Sequence, residues 1–205
     1  MRKKLAVIFP GVGYTCAKPL LYYTAQLAGE YGYEVIRLDY GEDIHSFRGR
    51  TMDDLIPVID QAVRRVLPEL GKIPVHEYEE ILMISKSIGT VAACRVQEEL
   101  GWEAKHFWIT PIPLTVPYLE KAEGCFVAGT GDPYISEELV EETAGKYPGK
   151  AGKIFEHCNH SLEIPGDTAG NLRNLQETVE ILRKCLFTPE KIAESVHCNA
   201  FGRLR

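Results

Sequence analysis

Short apolar runs alternate with longer amphipathic stretches along the chain, and this alternation limits the possible folds more than any other feature. The runs at residues 5–9 and 81–84 are continuously apolar, as expected of strands buried on both faces of a sheet. Alternating strands and helices imply right-handed crossovers and a parallel sheet covered by helices on both faces. The predicted strands are residues 5–9, 34–38, 81–84, 105–109, 124–128 and 153–155, and the predicted helices are residues 18–31, 52–67, 88–100, 136–146 and 172–185.

Length and charge exclude several classes of protein. The chain has 205 residues, of which 45% are hydrophobic and 25% charged, so we expect one globular domain over residues 1–205 rather than a disordered or coiled-coil chain. The net charge of -6 argues against a nucleic-acid partner. The apolar run at residues 5–9 stops at Pro10 and is too short for a membrane span or a signal peptide, so we expect a cytoplasmic location and no membrane partner.

The cysteines are expected to be reduced. Their number is even, but no C-x-x-C pair occurs and no feature of the sequence marks secretion. A free cysteine behaves as a small hydrophobe, and we expect several of them in the core. The six positions are Cys16, Cys94, Cys125, Cys158, Cys185 and Cys198.

The segment ILMISKSIGTVAA at residues 81–93 joins a buried strand directly to a helix. Ser87 lies in the middle of the predicted turn, with small residues two positions away on each side, Ser85 and Gly89. The segment resembles the nucleophile elbow G-x-S-x-G of the α/β-hydrolase superfamily, with Ser85 in place of the first glycine. Three other interpretations stay open: Ser87 as a simple helix cap, Ser85 as the nucleophile, and Lys86 as a solvated side chain at the helix start.

The order of the following motifs extends this resemblance. In the superfamily the nucleophile is followed along the chain by an acid and then by a histidine. Asp132 comes just after the predicted strand at 124–128, and His160 follows the last predicted strand. The resemblance therefore implies a catalytic triad of Ser87, Asp132 and His160. Asp132 also suits a turn before Pro133, and His157 competes with His160, which we favour because its longer loop gives it more reach.

An oxyanion hole is implied by the same resemblance. Its first donor is the backbone N–H of Ile88, the residue after the nucleophile. Residues 10–14, PGVGY, resemble the superfamily's His-Gly-x motif with Pro10 in place of histidine, which makes Val12 the second donor and Gly13 a further candidate. The two glycines of this loop also suit a tight turn between strand and helix, and the two interpretations are compatible.

The fold implied by the resemblance is a reduced three-layer α/β/α sandwich. The first strand matches the third strand of the superfamily, so we expect no leading hairpin and about six parallel strands in the superfamily order 4-3-5-6-7-8. The segment at residues 110–123 is too short for a large lid. We therefore expect a shallow pocket and a small acyl substrate, with Arg48 and Arg50 more suited to the surface than to an anionic substrate group. The expected lining residues are Tyr14, Ile112, Leu114 and Tyr134.

The implied activity is that of a serine hydrolase. It would cleave a small carboxylic ester or thioester through an acyl-enzyme on Ser87, with a small-molecule acyl substrate, no cofactor and no metal. A catalytically inactive binding protein with the same fold is the first alternative. A nucleotide-binding loop at Gly11 and Gly13 is another, although the third glycine of that fingerprint is absent. A metal site is the last alternative, with candidate ligands at His157, Cys158, His160, His197 and Cys198.

Overall fold

A computed structural model describes residues 3–45 and 54–186, which form a parallel sheet with helices on both faces. The strands are β1 (Lys3–Phe9), β2 (Tyr33–Arg37), β3 (Tyr78–Ser87), β4 (Lys105–Pro111), β5 (Glu123–Gly129) and β6 (Ala151–Phe155). The helices are α1 (Pro19–Glu30), α2 (Glu42–His45), α3 (Leu55–Leu70), α4 (Ile88–Leu100), α5 (Val116–Leu119), α6 (Glu137–Lys146) and α7 (Thr168–Leu186).

The six strands lie in the order β2-β1-β3-β4-β5-β6, and every neighbouring pair is parallel. This is the order implied by the resemblance, so the predicted sheet is confirmed. The chain passes from β1 outward to β2 and then returns across β1 to β3. Ligands of open α/β sheets bind at the carboxyl edge where such a reversal occurs, which here lies between β1 and β3.

The two faces of the sheet have separate cores. Helices α1 and α7 cover one face, where Leu21 and Leu182 belong to the same buried cluster as Leu82 and Ile84 of β3. Helices α3 and α4 cover the other face, where residues of both helices pack against Ile81 and Met83, and α6 packs beside α4. Side chains of β3 therefore alternate between the two faces, as the pleat of a strand requires.

Several elements differ in length from their predictions. β3 extends to Ser87, three residues beyond the predicted strand end. α7 begins at Thr168, four residues earlier than predicted, and Asp167 accepts a hydrogen bond from the backbone N–H of Gly170 in its first turn. α2 lies in a stretch that we expected to be a loop. Arg48, Arg50 and the first residues of the helix predicted at 52–67 lie outside the described residues.

The described thiols agree with the prediction for reduced cysteines. Among the described residues, Cys16, Cys94, Cys125 and Cys158 are buried thiols that are not joined in disulfides. Within residues 3–45 and 54–186 no helix combines the length and the apolar character needed to cross a bilayer.

Candidate active site

Ser87 lies at the end of β3, in a sharply turned backbone conformation. Its φ is 56° and its ψ is -125°, and α4 starts at the next residue. A non-glycine residue rarely adopts this conformation, which costs about 1–3 kcal/mol and persists only where the surroundings enforce it. Although Ser87 occupies the N-cap position of α4, its side chain makes no capping hydrogen bond. The turn thus presents the hydroxyl instead of using it to cap the helix.

Close packing against the end of β1 enforces this turn. A Cβ atom added at Gly89 would lie 2.5 Å from the carbonyl oxygens of Phe9 and Pro10, closer than real atoms approach. A Cβ atom at Gly11 would lie 3.1 Å from the Cβ of Ser87. Ser85 is fully buried within β3, so its hydroxyl does not reach the surface of the site.

The predicted acid and histidine are in direct contact. The Nδ1 atom of His160 lies 2.6 Å from Oδ2 of Asp132, whose side chain is completely buried. Oδ1 of Asp132 accepts a hydrogen bond of 2.9 Å from the backbone N–H of Tyr134. Asp132 is therefore both the turn residue and the partner of the histidine. A carboxylate at Nδ1 favours the tautomer that carries its proton there and leaves Nε2 as an acceptor.

Backbone hydrogen bonds join the loop after β5 to the loop after β6. The N–H groups of Thr130 and Gly131 each donate a bond of 3.0 Å, to the carbonyl oxygens of Phe155 and Cys158 respectively. In the opposite direction, the N–H of His157 donates to Oγ1 of Thr130 at 2.8 Å. These bonds hold the two loops, and therefore Asp132 and His160, at a defined separation.

Asn159 closes the turn that carries His160. Its side-chain oxygen accepts hydrogen bonds from the backbone N–H groups of Ser161 and Glu163, at 2.7 and 3.2 Å. The rival histidine, His157, is exposed, whereas His160 is in contact with the buried carboxylate.

Ser87 and His160 line the same cavity. It has a volume of about 80 Å³, and its other lining residues are Val12, Leu55, Ile88, Ile112 and Tyr134. Nε2 of His160 is buried and has no hydrogen-bond partner among the described residues, so the bond between the histidine and the serine is not made in this conformation. Catalytic hydrogen bonds are often long or absent before substrate binds.

The turn after β1 lies beside Ser87. It is closed by hydrogen bonds between the backbones of Gly11 and Tyr14, and its second central residue, Gly13, has a φ of 62°. Because Val12 and Gly13 are the central residues, their N–H groups are not used to close the turn. Val12 and Ile88 both line the cavity that contains Ser87. Their backbone N–H groups are the candidates for an oxyanion hole.

Two of the four predicted pocket residues line the cavity that contains Ser87. Ile112 and Tyr134 line the cavity, and the ring of Tyr134 meets the imidazole of His160 edge-on at 4.7 Å. Tyr14 lines a different cavity of about 320 Å³, together with Ser161 and Leu162 of the histidine loop. Leu114 packs against the core cluster of α3 and α4 instead. Leu55 was not predicted, because nothing in the sequence indicates that the first turn of α3 reaches the site.

Lys86 is the residue that the sequence interpretation missed most clearly. It was expected to be solvated, but its residue exposure is 1%. Its Nζ atom donates hydrogen bonds to the carbonyl oxygen of His160 at 2.8 Å and to Oγ1 of Thr110 at 3.2 Å. The alternation of side chains along β3 could have predicted this burial. Lys86 follows Leu82 and Ile84 on the face of the sheet that α1 and α7 cover.

The geometry gives little support to the alternative predictions of a nucleotide-binding loop and a metal site. The glycine turn after β1 does not run directly into a helix, since α1 begins only at Pro19, so it lacks the layout of a dinucleotide loop. The thiol of Cys158 is buried and accepts a hydrogen bond from Asn174, while His160 faces Asp132. Over the described ranges, no three His, Cys, Asp or Glu side chains are grouped as metal ligands.

Several solved structures resemble this chain in fold. Est1E from Butyrivibrio proteoclasticus is 14% identical over 94% of this chain and 89% of its own, with a TM-score of 0.63. A serine hydrolase without a lid from Xanthomonas campestris is 12% identical over 88% of this chain and 79% of its own, with a TM-score of 0.56. The chain has the α/β-hydrolase fold. An α/β serine hydrolase homologue from Coxiella burnetii agrees with this, with 13% identity, coverage of 88% and 85%, and a TM-score of 0.57.

The likeness to these α/β-hydrolase structures lies in the architecture rather than in the sequence. No protein-family model matches the chain, and no curated protein matches it. Within the α/β-hydrolase fold, Ser87 follows the central strand β3, and Asp132 and His160 follow β5 and β6. The segment after β4 contains only a 3-10 turn and the four-residue helix α5, as expected of a short lid region.

Proposed function

We propose that this protein is a serine hydrolase that cleaves a small carboxylic ester or thioester through an acyl-enzyme on Ser87. The observation that carries the proposal is the pairing of the Asp132 carboxylate with His160 across the cavity from a serine held at φ 56°. A structural serine requires no strained backbone, and a turn-forming aspartate requires no buried hydrogen bond to a histidine. The α/β-hydrolase fold supports the proposal by giving each of these residues its expected strand end.

In the proposed mechanism His160 is the general base. Nε2 takes the proton of Ser87 as Oγ attacks the carbonyl carbon, and the negative charge that forms on the carbonyl oxygen is stabilised by the N–H groups of Val12 and Ile88. His160 then gives the proton to the leaving alcohol or thiol. Water, deprotonated by the same nitrogen, hydrolyses the acyl-enzyme. Asp132 holds the imidazole in the required tautomer and stabilises its cation.

The cavity supports a small acyl group. Its volume is about 80 Å³, and its lining beside Ser87 is largely apolar, from Val12, Ile112 and Leu55. An apolar lining favours an aliphatic acyl chain over a charged one, because a charge would lose its hydration without gaining a partner. We therefore expect acetyl and propionyl esters to be better substrates than long-chain esters.

Labelling with a fluorophosphonate probe tests the proposal. Mass spectrometry should locate one adduct on Ser87, and p-nitrophenyl acetate should be hydrolysed with a loss of at least about 1,000-fold in Ser87→Ala. Ser85→Ala tests the rival nucleophile and should keep the activity. Ser136→Ala is the matched control, because Ser136 caps α6 away from the cavity.

Two outcomes would contradict the proposal. One is an unlabelled Ser87 in folded protein that hydrolyses none of the esters or thioesters tested, which would favour the alternative of a binding protein with this fold. The other is hydrolysis that persists in Ser87→Ala at the unsubstituted rate.

A further inference from the structure

Lys86 is a buried cation at a place where most strands have an apolar side chain. It lies between the fully buried Ser85 and the nucleophile Ser87, with a residue exposure of 1%. Burying an ammonium group without partners is strongly unfavourable. A lysine in this position therefore needs hydrogen-bond acceptors around its amino group. Because burying the charge is costly, a lysine here stabilises the fold no better than an apolar residue would.

The surroundings of Lys86 match the three N–H groups of an ammonium. Two of them donate to the carbonyl oxygen of His160 and to Oγ1 of Thr110, and the third faces the ring of Tyr14, with Nζ 4.5 Å from the ring centre. The face of a tyrosine ring attracts a cation. These partners come from β4, from the turn after β1 and from the histidine loop, so Lys86 connects three of the segments that form the site.

The charged and titratable groups around Lys86 are those of the site. Asp132 lies in the loop after β5, Glu163 and His160 lie in the loop after β6, and Tyr14 lies in the turn after β1. Burial lowers the pKa of Lys86 to about 7, and the negative charges of Asp132 and Glu163 oppose this shift.

The imidazole of His160 experiences opposing influences. Burial lowers its pKa first, and the positive charge of Lys86 lowers it further, whereas the hydrogen bond and the charge of Asp132 raise it. Lys86 thus acts against protonation of the histidine, whereas the carboxylate of Asp132 favours it.

We propose that Lys86 is a positioning residue for the catalytic histidine. Its buried amino group holds the backbone of His160 and keeps the imidazole in its neutral, proton-accepting form. The inference rests on the proposed hydrolase function, since it assigns the residue that prepares the general base. It also explains why a lysine occupies a position where Met would fit an apolar environment better.

Replacement of Lys86 separates this role from a structural one. Lys86→Met removes both the donor and the charge, and Lys86→Gln keeps an N–H donor without the charge. In both variants the acidic limb of the plot of kcat/KM against pH should shift to higher pH, by about half a unit or more. The reason is that the cation that opposes protonation of His160 is gone. In Lys86→Met kcat should also fall about tenfold or more, with KM within about twofold, since Lys86 does not line the cavity.

Lys150→Met is the matched control. Lys150 also donates hydrogen bonds from Nζ to backbone carbonyl oxygens, those of Leu119 and Ala122, but it lies away from the cavity. Its replacement should leave the pH profile unchanged. An acidic limb that stays in place in active Lys86→Met and Lys86→Gln would overturn the inference while leaving the hydrolase function intact.

Nuclear magnetic resonance provides a test that needs no activity. In the unsubstituted protein the ring of His160, assigned by its loss in His160→Gln, should titrate below the ordinary histidine value of about 6.5, and in a folded Lys86 variant it should titrate higher. A midpoint at or above 6.5 in the unsubstituted protein would overturn the inference even if no Lys86 variant folds. A failure of the hydrolase proposal alone would leave this titration unchanged.

Discussion

The histidine side and the serine side of the site are held by different means. The loops after β5 and β6 are joined by hydrogen bonds, and the contact between Asp132 and His160 is fully formed. On the serine side, the distinguishing contacts are those of close packing. Ser87 is held in a strained conformation by the close packing of Gly89 against the end of β1.

In the proposed mechanism, this difference keeps Ser87 and His160 in position without a hydrogen bond between them. Hydrogen bonds set the tautomer and position of the imidazole, whereas packing sets the direction of the serine hydroxyl. The buried Nε2 of His160 has no partner in the described part of the chain, so the contact between the two sides is not made in this conformation. The following predictions test each side separately.

Asp132→Asn should give the largest effect, because it removes the buried carboxylate that contacts His160 on the histidine side. An asparagine amide favours the wrong tautomer of His160, and kcat should fall by about 1,000- to 10,000-fold. Steady-state hydrolysis of p-nitrophenyl acetate measures this, with circular dichroism to show that the fold is kept. A loss of less than tenfold would mean that Asp132 is only a turn residue.

Gly89→Ala should disrupt the serine side through packing. The added Cβ would lie 2.5 Å from the carbonyl oxygens of Phe9 and Pro10, so the unfolding free energy should fall by about 3 kcal/mol. Gly145→Ala is the control, because a Cβ at Gly145 has no atom within 4 Å and a helical alanine is favourable. Urea denaturation compares the two. Equal stabilities would show that β1 does not enforce the turn.

Ser87→Gly should give a smaller effect of opposite sign on stability. Glycine adopts a positive φ without strain, so this variant should be more stable than Ser87→Ala by about 1 kcal/mol, although both are inactive. Urea denaturation of the two inactive variants isolates the strain at Ser87. A less stable Ser87→Gly would indicate that the serine side is not strained.

Much of this architecture follows from local patterns. The apolar runs predict the strands because parallel strands are buried on both faces. The positions of Ser87, Asp132 and His160 at the carboxyl ends of β3, β5 and β6 bring them to one edge of the sheet. The helix at 88–100 agrees residue for residue, since its start is fixed by the turn at Ser87.

The missed features depend on contacts between distant segments. The burial of Lys86 requires the carbonyl oxygen of His160, which lies 74 residues further along the chain. Leu114 was expected in the pocket because it lies in the apolar stretch after β4, but tertiary packing turns it towards α3 and α4. Periodicity reports which face of an element is apolar, and it does not report which loop covers a strand end.

A crystal structure of the protein after reaction with a fluorophosphonate tests the central claim most directly. We expect phosphorus bonded to Oγ of Ser87, with the phosphoryl oxygen about 2.7–3.1 Å from the backbone nitrogens of Val12 and Ile88. Nε2 of His160 should lie within hydrogen-bonding distance of the adduct. An adduct on another residue, or a phosphoryl oxygen that contacts neither nitrogen while Nε2 stays out of reach, would contradict the account.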